Sequence, residues 1–354
     1  MLILGIESSC DETAVALVES GTKVIYSLVA SQVDVHAVFG GIVPEIAARE
    51  HLRAIDPLFH KVMSESGVAI DSVNGIAVTQ GPGLIGALLV GIAYAKGLAL
   101  SLKKPLIPVD HVEAHIHSAF LSDDWTQDKI RGNFPAIALV ASGGHTNLYY
   151  MKSPIQFKLL AYSQDDACGE CFDKTAKLLG LKYPGGSEIE KLAQQGDSSA
   201  VAMPKVVSPK SKMMFSYSGL KTHMVHQIAA YRRSIENQEG PLNLENTYIY
   251  NLCAAFQSEA FAQLVRKIKN AVDDYPESRS VIIAGGVAAN KKLRGMLADT
   301  LGLPLVFPQL KFCSDNAAMI AGLAYRMFHT TDKESMKGDF FKQDWDAYSR
   351  YRFE

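Results

Sequence analysis

Short apolar runs alternate with polar turns along this chain, and their lengths predict most of its elements. Residues 2–6 (Leu-Ile-Leu-Gly-Ile), 13–18 and 23–29 are apolar over strand-like lengths and are separated by polar turns, which predicts three consecutive strands. Pro44 suits the first turn of a following helix, because its fixed φ is already helical. Residues 75–79 predict a fourth strand, Gly81-Pro82-Gly83 a loop, and residues 84–100 an apolar helix. The run 105–109 predicts a further buried strand that ends at Asp110.

The same order then recurs. Residues 135–141 predict a strand, Ser142-Gly143-Gly144-His145 a tight turn, and 146–151 and 157–161 two more strands. After helical segments, 280–284 predicts a strand, 285–290 a glycine loop, and a helix runs to about Leu301. A strand near 303–307 and a helix after Ser314 close the pattern. Each half is an α/β unit of the order β-β-β-α-β-α. The doubled unit resembles the plan of the actin, sugar-kinase and heat-shock ATPase superfamily, which implies two lobes around a nucleotide cleft. The expected division is an amino-terminal lobe 1–121, joined by a returning helix 314–330, and a carboxy-terminal lobe 134–313 with a helical insertion 187–273. The polar stretch 122–134 is the expected boundary, and 331–354 a charged, aromatic tail.

A chain of 354 residues, 48% hydrophobic and 20% charged, has enough apolar material for two ordinary domains. The net charge of −2 does not mark a nucleic-acid binder, so any RNA contact needs a local patch or a partner's surface. Arg49, Arg53, Lys61, Lys221, Arg232 and Arg233 are candidates for such a patch. Glu7 and Asp11 end the first apolar run too early for a signal peptide. The stretch 84–102 carries Lys96 and many small residues, and is expected to be a buried helix rather than a membrane span. Five scattered cysteines do not make a disulfide framework and point to a reduced, cytoplasmic protein. Cys168 and Cys171 form a lone CxxC without a second pair and are expected to be two reduced thiols.

His111-Val112-Glu113-Ala114-His115 is the strongest chemical signal. Histidines four apart share one helix face, one turn apart, and can clamp a metal ion. A zinc protease would need Glu directly after the first histidine, where Val112 stands. Glu113 is turned by about 100° from the required direction, so the ligands remain and the protease base does not. Asp315, at the start of the last helix, is a third candidate ligand if that helix returns to the first lobe; its alternative role is a helix cap. Iron and zinc both suit two imidazoles and one carboxylate with open positions.

Three glycine-bearing turns carry a second signal. Glycines at 143–144, 185–186 and 285–286 let backbone amides approach an anion without an intervening Cβ. At the start of a helix the dipole also favours phosphate. Asp173 and Glu190 are candidate ribose contacts and Asn290 a candidate for adenine or ribose; Asp173 and Asn290 could equally be helix caps. Asp11 and Glu12, in the first hairpin turn, are candidate catalytic carboxylates, against the plain alternative of solvated turn residues.

These motifs together resemble one family closely. They are 5–13 (Gly-Ile-Glu-Ser-Ser-Cys-Asp-Glu-Thr), 40–45, 81–84, 111–115, 142–145, 172–174, 183–186, 215–221, 285–290 and 314–316. The chain resembles the universal tRNA N6-adenosine threonylcarbamoyltransferase family over about residues 1–325. The resemblance implies transfer of the threonylcarbamoyl group from threonylcarbamoyl-AMP to N6 of adenosine 37 in tRNAs that read ANN codons, with AMP leaving. It implies His111, His115 and Asp315 as ligands of one divalent metal, Fe(2+) first and Zn(2+) second. Its nucleotide contacts fall on Val140, Ala141, Ser142, Gly143, Gly144, Asp173, Gly186, Glu190 and Asn290. The family usually has Pro where Ser187 stands and often Asp where Glu190 stands. It also implies a TsaB-like paralogue of the same fold and a TsaE-like ATPase as partners, and no membrane. Rival readings are an ATP-dependent small-molecule kinase of the same superfamily, a metallopeptidase, and a non-catalytic scaffold.

Overall fold

The computed structural model describes residues 1–39, 41–205, 214–235, 241–330 and 344–349. Gly40 of the 40–45 motif, parts of the expected insertion (206–213 and 236–240) and the tail segments 331–343 and 350–354 lie outside the described residues. The chain forms two compact units: Met1–Phe134 with Met151–Phe157 and Phe307–Glu354, and Pro135–Tyr150 with Lys158–Val306.

The first unit begins with strands β1 (Leu2–Glu7), β2 (Glu12–Glu19) and β3 (Lys23–Ser31), followed by helices α1 (Val33–Ala37) and α2 (Pro44–Ser66). Strand β4 (Gly75–Gly81), helix α3 (Ile85–Leu102), strand β5 (Leu106–Asp110), and helices α4 (His111–His117) and α5 (Gln127–Gly132) complete its amino-terminal part. The sheet order is β3-β2-β1-β4-β5. β1 pairs antiparallel with β2 and parallel with β4. The second sheet and its helices are β6 (Ala136–Ala141), β7 (Thr146–Ser153), β8 (Gln156–Ser163), α6 (Cys168–Leu179), α7 (Gly185–Ala193), β9 (Met214–Phe215), α8 (Ser218–Ser234), α9 (Thr247–Asp274), β10 (Ser280–Ala284), α10 (Lys291–Thr300) and β11 (Leu305–Val306), all in the second unit apart from residues 151–157 at the β7–β8 turn. Its sheet order, β11-β10-β6-β7-β8-β9, repeats the first plan and adds one strand. The chain then returns to the first unit as α11 (Ala317–Thr330).

The continuous apolar runs of β1 and β2 follow from burial on both faces of the sheet. Alternate residues point to opposite sides. Ile3, Ala14, Ala16 and Val18 join one core with α11, while Leu4, Ile6, Val15 and Leu17 join another with α2 and α3. The α11 face is built of small residues, among them Ala14, Ala16, Ala77, Ala317, Ala318 and Ala321. A Cβ on Gly5 would lie 2.2 Å from the Ala317 carbonyl oxygen, so helix and strand approach almost backbone to backbone.

Two expectations change. Helix α3 is only partly buried: it packs against α2 and β4, yet Ile85, Leu89 and Leu100 are 41%, 44% and 73% exposed. It is long and apolar enough to cross a membrane by length and composition, with a third of its residues buried. The segment expected as a helical insertion also holds a strand. β9 pairs parallel with β8, and the Gln263 side chain takes the Ser216 N–H (2.9 Å) and donates to its carbonyl (3.0 Å), fixing the chain as it leaves that strand.

Gly5→Val should destabilise the first unit by about 1–3 kcal/mol, the range for overpacking a close contact, and urea unfolding measures it. Stability equal to wild type would contradict the close approach of α11 to β1.

Candidate metal centre and nucleotide-loop residues

Asp110 ends β5 and caps α4: its Oδ1 accepts the Glu113 N–H at 2.9 Å. This satisfies one of the helix's orphan donors and sets the direction in which His111 and His115 project. Both histidines are buried. His111 Nε2 lies 3.7 Å, and His115 Nε2 3.1 Å, from Asp315 Oδ1. One ligand atom from each of the three lies within 4.8 Å of the others. Ligands about 2.1 Å from one tetrahedral ion stand roughly 3.4 Å apart, and the two imidazole–carboxylate separations lie on either side of that value. The His115–Asp315 contact lacks hydrogen-bond direction, and neither ring nitrogen of His115 has a hydrogen-bond partner among the described residues. A buried imidazole left so is costly unless it faces an ion, so the donor set fits a resident metal.

The sequence reading missed Glu7. It sits at the end of β1, fully buried, and accepts from the Ser9 N–H (2.5 Å) and the Thr79 hydroxyl (2.6 Å). Its Oε2 lies 3.0 Å from His111 Nδ1. A carboxylate on the far nitrogen orients a ligating imidazole and directs Nε2 outward. Burial disfavours the Glu7 charge, but His111 overcomes it and lowers the pKa. Burial likewise opposes a proton on His111, yet Glu7 and Asp315 push its pKa up to about 9. The only sequence signal for Glu7 was a charge closing an apolar strand, which also reads as the strand's end.

Asp11 and Glu12 lie in the same acidic surroundings. Asp11 is buried. Burial, then Asp315, then Asp11 with its hydrogen bond, push Glu12 up to about 10. Carboxylates crowded this way repel one another, and a cation relieves that.

Two residues beyond His115, His117 donates from Nε2 to the Pro154 carbonyl (2.8 Å) and accepts at Nδ1 from Arg326 Nε of α11 (3.0 Å). Burial and Arg326 hold its pKa well below the usual value, so it is neutral and structural. It ties α11 to α4 and so steadies Asp315 beside the histidines.

In the second unit, Val140 and Ala141 are buried in β6 and offer only backbone. The Ser142 N–H closes the turn on the His145 carbonyl (2.8 Å), and Gly143 and Gly144 are exposed, with nothing within 4 Å of where a Cβ would stand. Gly285 has φ 86°, and a Cβ there would meet the Ala141 carbonyl at 2.3 Å, so only glycine brings this turn against the end of β6. Asp173 lies in the second turn of α6 rather than at a helix start, and its Oδ1 takes the Gly185 N–H at 2.7 Å, holding the beginning of α7. Gly285-Gly286 does not open an α-helix directly. Residues 286–289 form a 3-10 turn, and α10 starts after Asn290, whose side chain accepts from Lys292 and Leu293. Asn290 is thus a cap, held in turn by Gln257 (2.9 Å), a residue the sequence reading missed. Glu190 accepts the Lys291 N–H (2.9 Å). Glu190, Gln257, Lys291 and Lys292 line a cavity of about 440 Å³.

Among the candidate patch residues, Arg49, Arg53, Lys61 and Lys221 each face a carboxylate. All five cysteines are free. Burial pushes the Cys168 thiol up to about 12 and raises Cys171 as well.

Fold and donor set together define an α/β protein with the duplicated fold of the actin, sugar-kinase and heat-shock ATPase type and a candidate site for one metal ion. Among solved structures, component A of (R)-2-hydroxyglutaryl-CoA dehydratase from Acidaminococcus fermentans matches with TM-score 0.52 at 13% identity, covering 92% of this chain and 98% of that one. HypF from T. kodakarensis matches with TM-score 0.57 at 13% identity, covering 92% of this chain and 47% of that one. At such identities the likeness is of fold alone. Sequence relatives are far nearer. The tRNA N6-adenosine threonylcarbamoyltransferase of Chlamydia abortus is 45% identical over 329 residues, 93% of this chain and 92% of that protein. The one from Moorella thermoacetica is 44% identical over 333 residues, 93% of each. The family model TsaD, tRNA N6-adenosine threonylcarbamoyltransferase, matches residues 23–322. This chain belongs to that family.

Glu7→Gln should weaken Co(2+) binding about 10–100-fold, the usual effect of removing a partner behind a ligand; an unchanged titration would remove Glu7 from the site. Native protein at pH 8 should leave Cys168 and Cys171 unlabelled by a thiol reagent that reaches both after unfolding, with peptide mass mapping as the readout.

Proposed function

We propose that this chain transfers the threonylcarbamoyl group from threonylcarbamoyl-AMP to N6 of adenosine 37 in tRNAs that read ANN codons, and releases AMP. Family membership supports the reaction class. The observation that carries the mechanism is the meeting of His111, His115 and Asp315 at the end of a buried strand.

His111, His115 and Asp315 hold one divalent cation, Fe(2+) by our assignment with Zn(2+) as the alternative; when bound, it supplies Lewis-acid polarisation and a template for the reacting oxygens. Glu7 orients His111, and Asp110 fixes the helix that carries both histidines. In the transfer, the N6 lone pair forms a bond to the carbonyl carbon. The bond from that carbon to the phosphate oxygen breaks, AMP keeps the electron pair, and N6 loses a proton. Adenine N6 is a poor nucleophile because its lone pair is delocalised into the ring, so orientation matters. We assign acceptance of the N6 proton to Asp11. Glu12 hydrogen-bonds Asp11 and lies beside it in the same acidic turn. The nucleotide contacts we assign to the backbone from Val140 to Gly144, and to Asp173, Gly186, Glu190 and Asn290. The exposed glycine turn at 143–144 supports this assignment.

We further assign a TsaB-like paralogue and a TsaE-like ATPase as partners. Apolar side chains left in solvent on α1, α2 and α3 (Val38 84%, Phe39 56% just past α1, Leu52 65%, Leu89 44%) support a protein partner there. Five free thiols suit the cytoplasm.

With synthetic threonylcarbamoyl-AMP, unmodified tRNA and the partners present, wild type should form the modified nucleoside, detected by mass spectrometry of tRNA digests. His111→Ala and Asp315→Ala should fall to background, and chelation should abolish transfer until Fe(2+) or Zn(2+) is restored. Full activity of the metal-free double variant would overturn the proposal.

A further inference from the structure

Beyond the three ligands and Glu7, one more element grips the metal-bearing helix, and it comes from the far end of the chain. Residues 344–349 lie against the first unit. Trp345 and Ala347 pack on the core formed by α2, α3 and the sheet. Lys96 Nζ donates to the Trp345 carbonyl at 3.2 Å and sits 4.8 Å above its indole ring. Gln80, next to the last residue of β4, binds the segment twice: its side chain donates to the Asp346 carbonyl (2.8 Å) and its carbonyl accepts the Tyr348 N–H (3.3 Å). Gly81 lets the segment lie flat, since a Cβ there would fall 2.3 Å from the Tyr348 carbonyl oxygen.

These anchors deliver the Tyr348 hydroxyl to Asp110 Oδ2 at 2.6 Å. The other oxygen of the same carboxylate holds the Glu113 N–H. Both oxygens of the residue that starts α4 are therefore engaged, one by the helix and one by the tail. A carboxylate bound on both sides has one orientation, and a cap with one orientation fixes where the next residue and the residue one turn later point. Those residues are His111 and His115.

We propose that residues 344–349 are a strap that locks α4 in its ligating position, with Tyr348 acting through Asp110 as a positioning residue for the metal site. This rests on the metal reading given under the proposed function. The strap lies outside residues 23–322, the span matched by the family model.

Full-length Tyr348→Phe, which keeps the ring and loses only the hydroxyl, and Trp345→Ala, which loosens the anchor, test the strap. Co(2+) affinity should fall about tenfold in each, as for other groups behind a ligand. Amide exchange at Glu113 should speed up by a similar factor while exchange in β6 stays at the wild-type rate. In the transfer assay kcat should drop with KM for threonylcarbamoyl-AMP unchanged, and saturating Co(2+) should restore it, which it would not do for an unfolded fraction. Wild-type Co(2+) affinity in both variants would overturn the strap. Asp315→Ala separates the two ideas: if it binds Co(2+) as wild type does, the metal assignment fails, while the exchange rate at Glu113 still reports on the strap by itself.

Discussion

The close approach of α11 to β1 is the contact on which the meeting of His111, His115 and Asp315 depends. Asp315 lies more than two hundred residues after His111 in sequence, and it reaches the histidines only because the chain returns to the first unit and lays α11 on its sheet. Small side chains make that contact tight. With Gly5 under Ala317 and alanines on both surfaces, there is little room for the helix to slide. Arg326 then links the same helix to α4 through His117. Packing thus sets the distance between a carboxylate and two imidazoles, and that distance sets what the three can bind.

Around that contact the protein gathers groups that are unfavourable without a cation. Glu7, Asp11, Glu12 and Asp315 share surroundings in which each raises the cost of ionising others. Buried carboxylates this close are expensive unless paired. Glu7 meets its cost through Ser9, Thr79 and His111. His115 finds no hydrogen-bond partner among the described residues. An ion held by His111, His115 and Asp315, as proposed, would answer both conditions.

The second unit repeats the plan with different chemistry. Its turns supply backbone rather than side chains, and its polar candidates mostly hold the turns in place. Asp173 secures the start of α7, and Glu190 and Asn290 secure the start of α10. A carboxylate that caps a neighbouring helix is already oriented before a ligand arrives. The two roles weighed for Asn290 therefore do not exclude each other.

Much of the fold was legible in the sequence because burial on both sheet faces writes long apolar runs, and the repeated order of those runs writes the duplication. The histidine pair was legible because a helix converts a spacing of four into one face. Glu7 was not, since a charge closing an apolar run looks like the end of a strand, and only the register with β4 places it against Thr79 and His111. β9 was not, because two residues at a sheet edge leave no period to read. The docking of Tyr348 on Asp110 was not, because a hydrogen bond between residues 238 positions apart has no local pattern. Sequence by itself determined which residues are apolar, which turns need glycine, and which ligand types exist. Tertiary structure decided which of them meet, because distances between remote side chains are set by packing, and packing is a property of the whole chain.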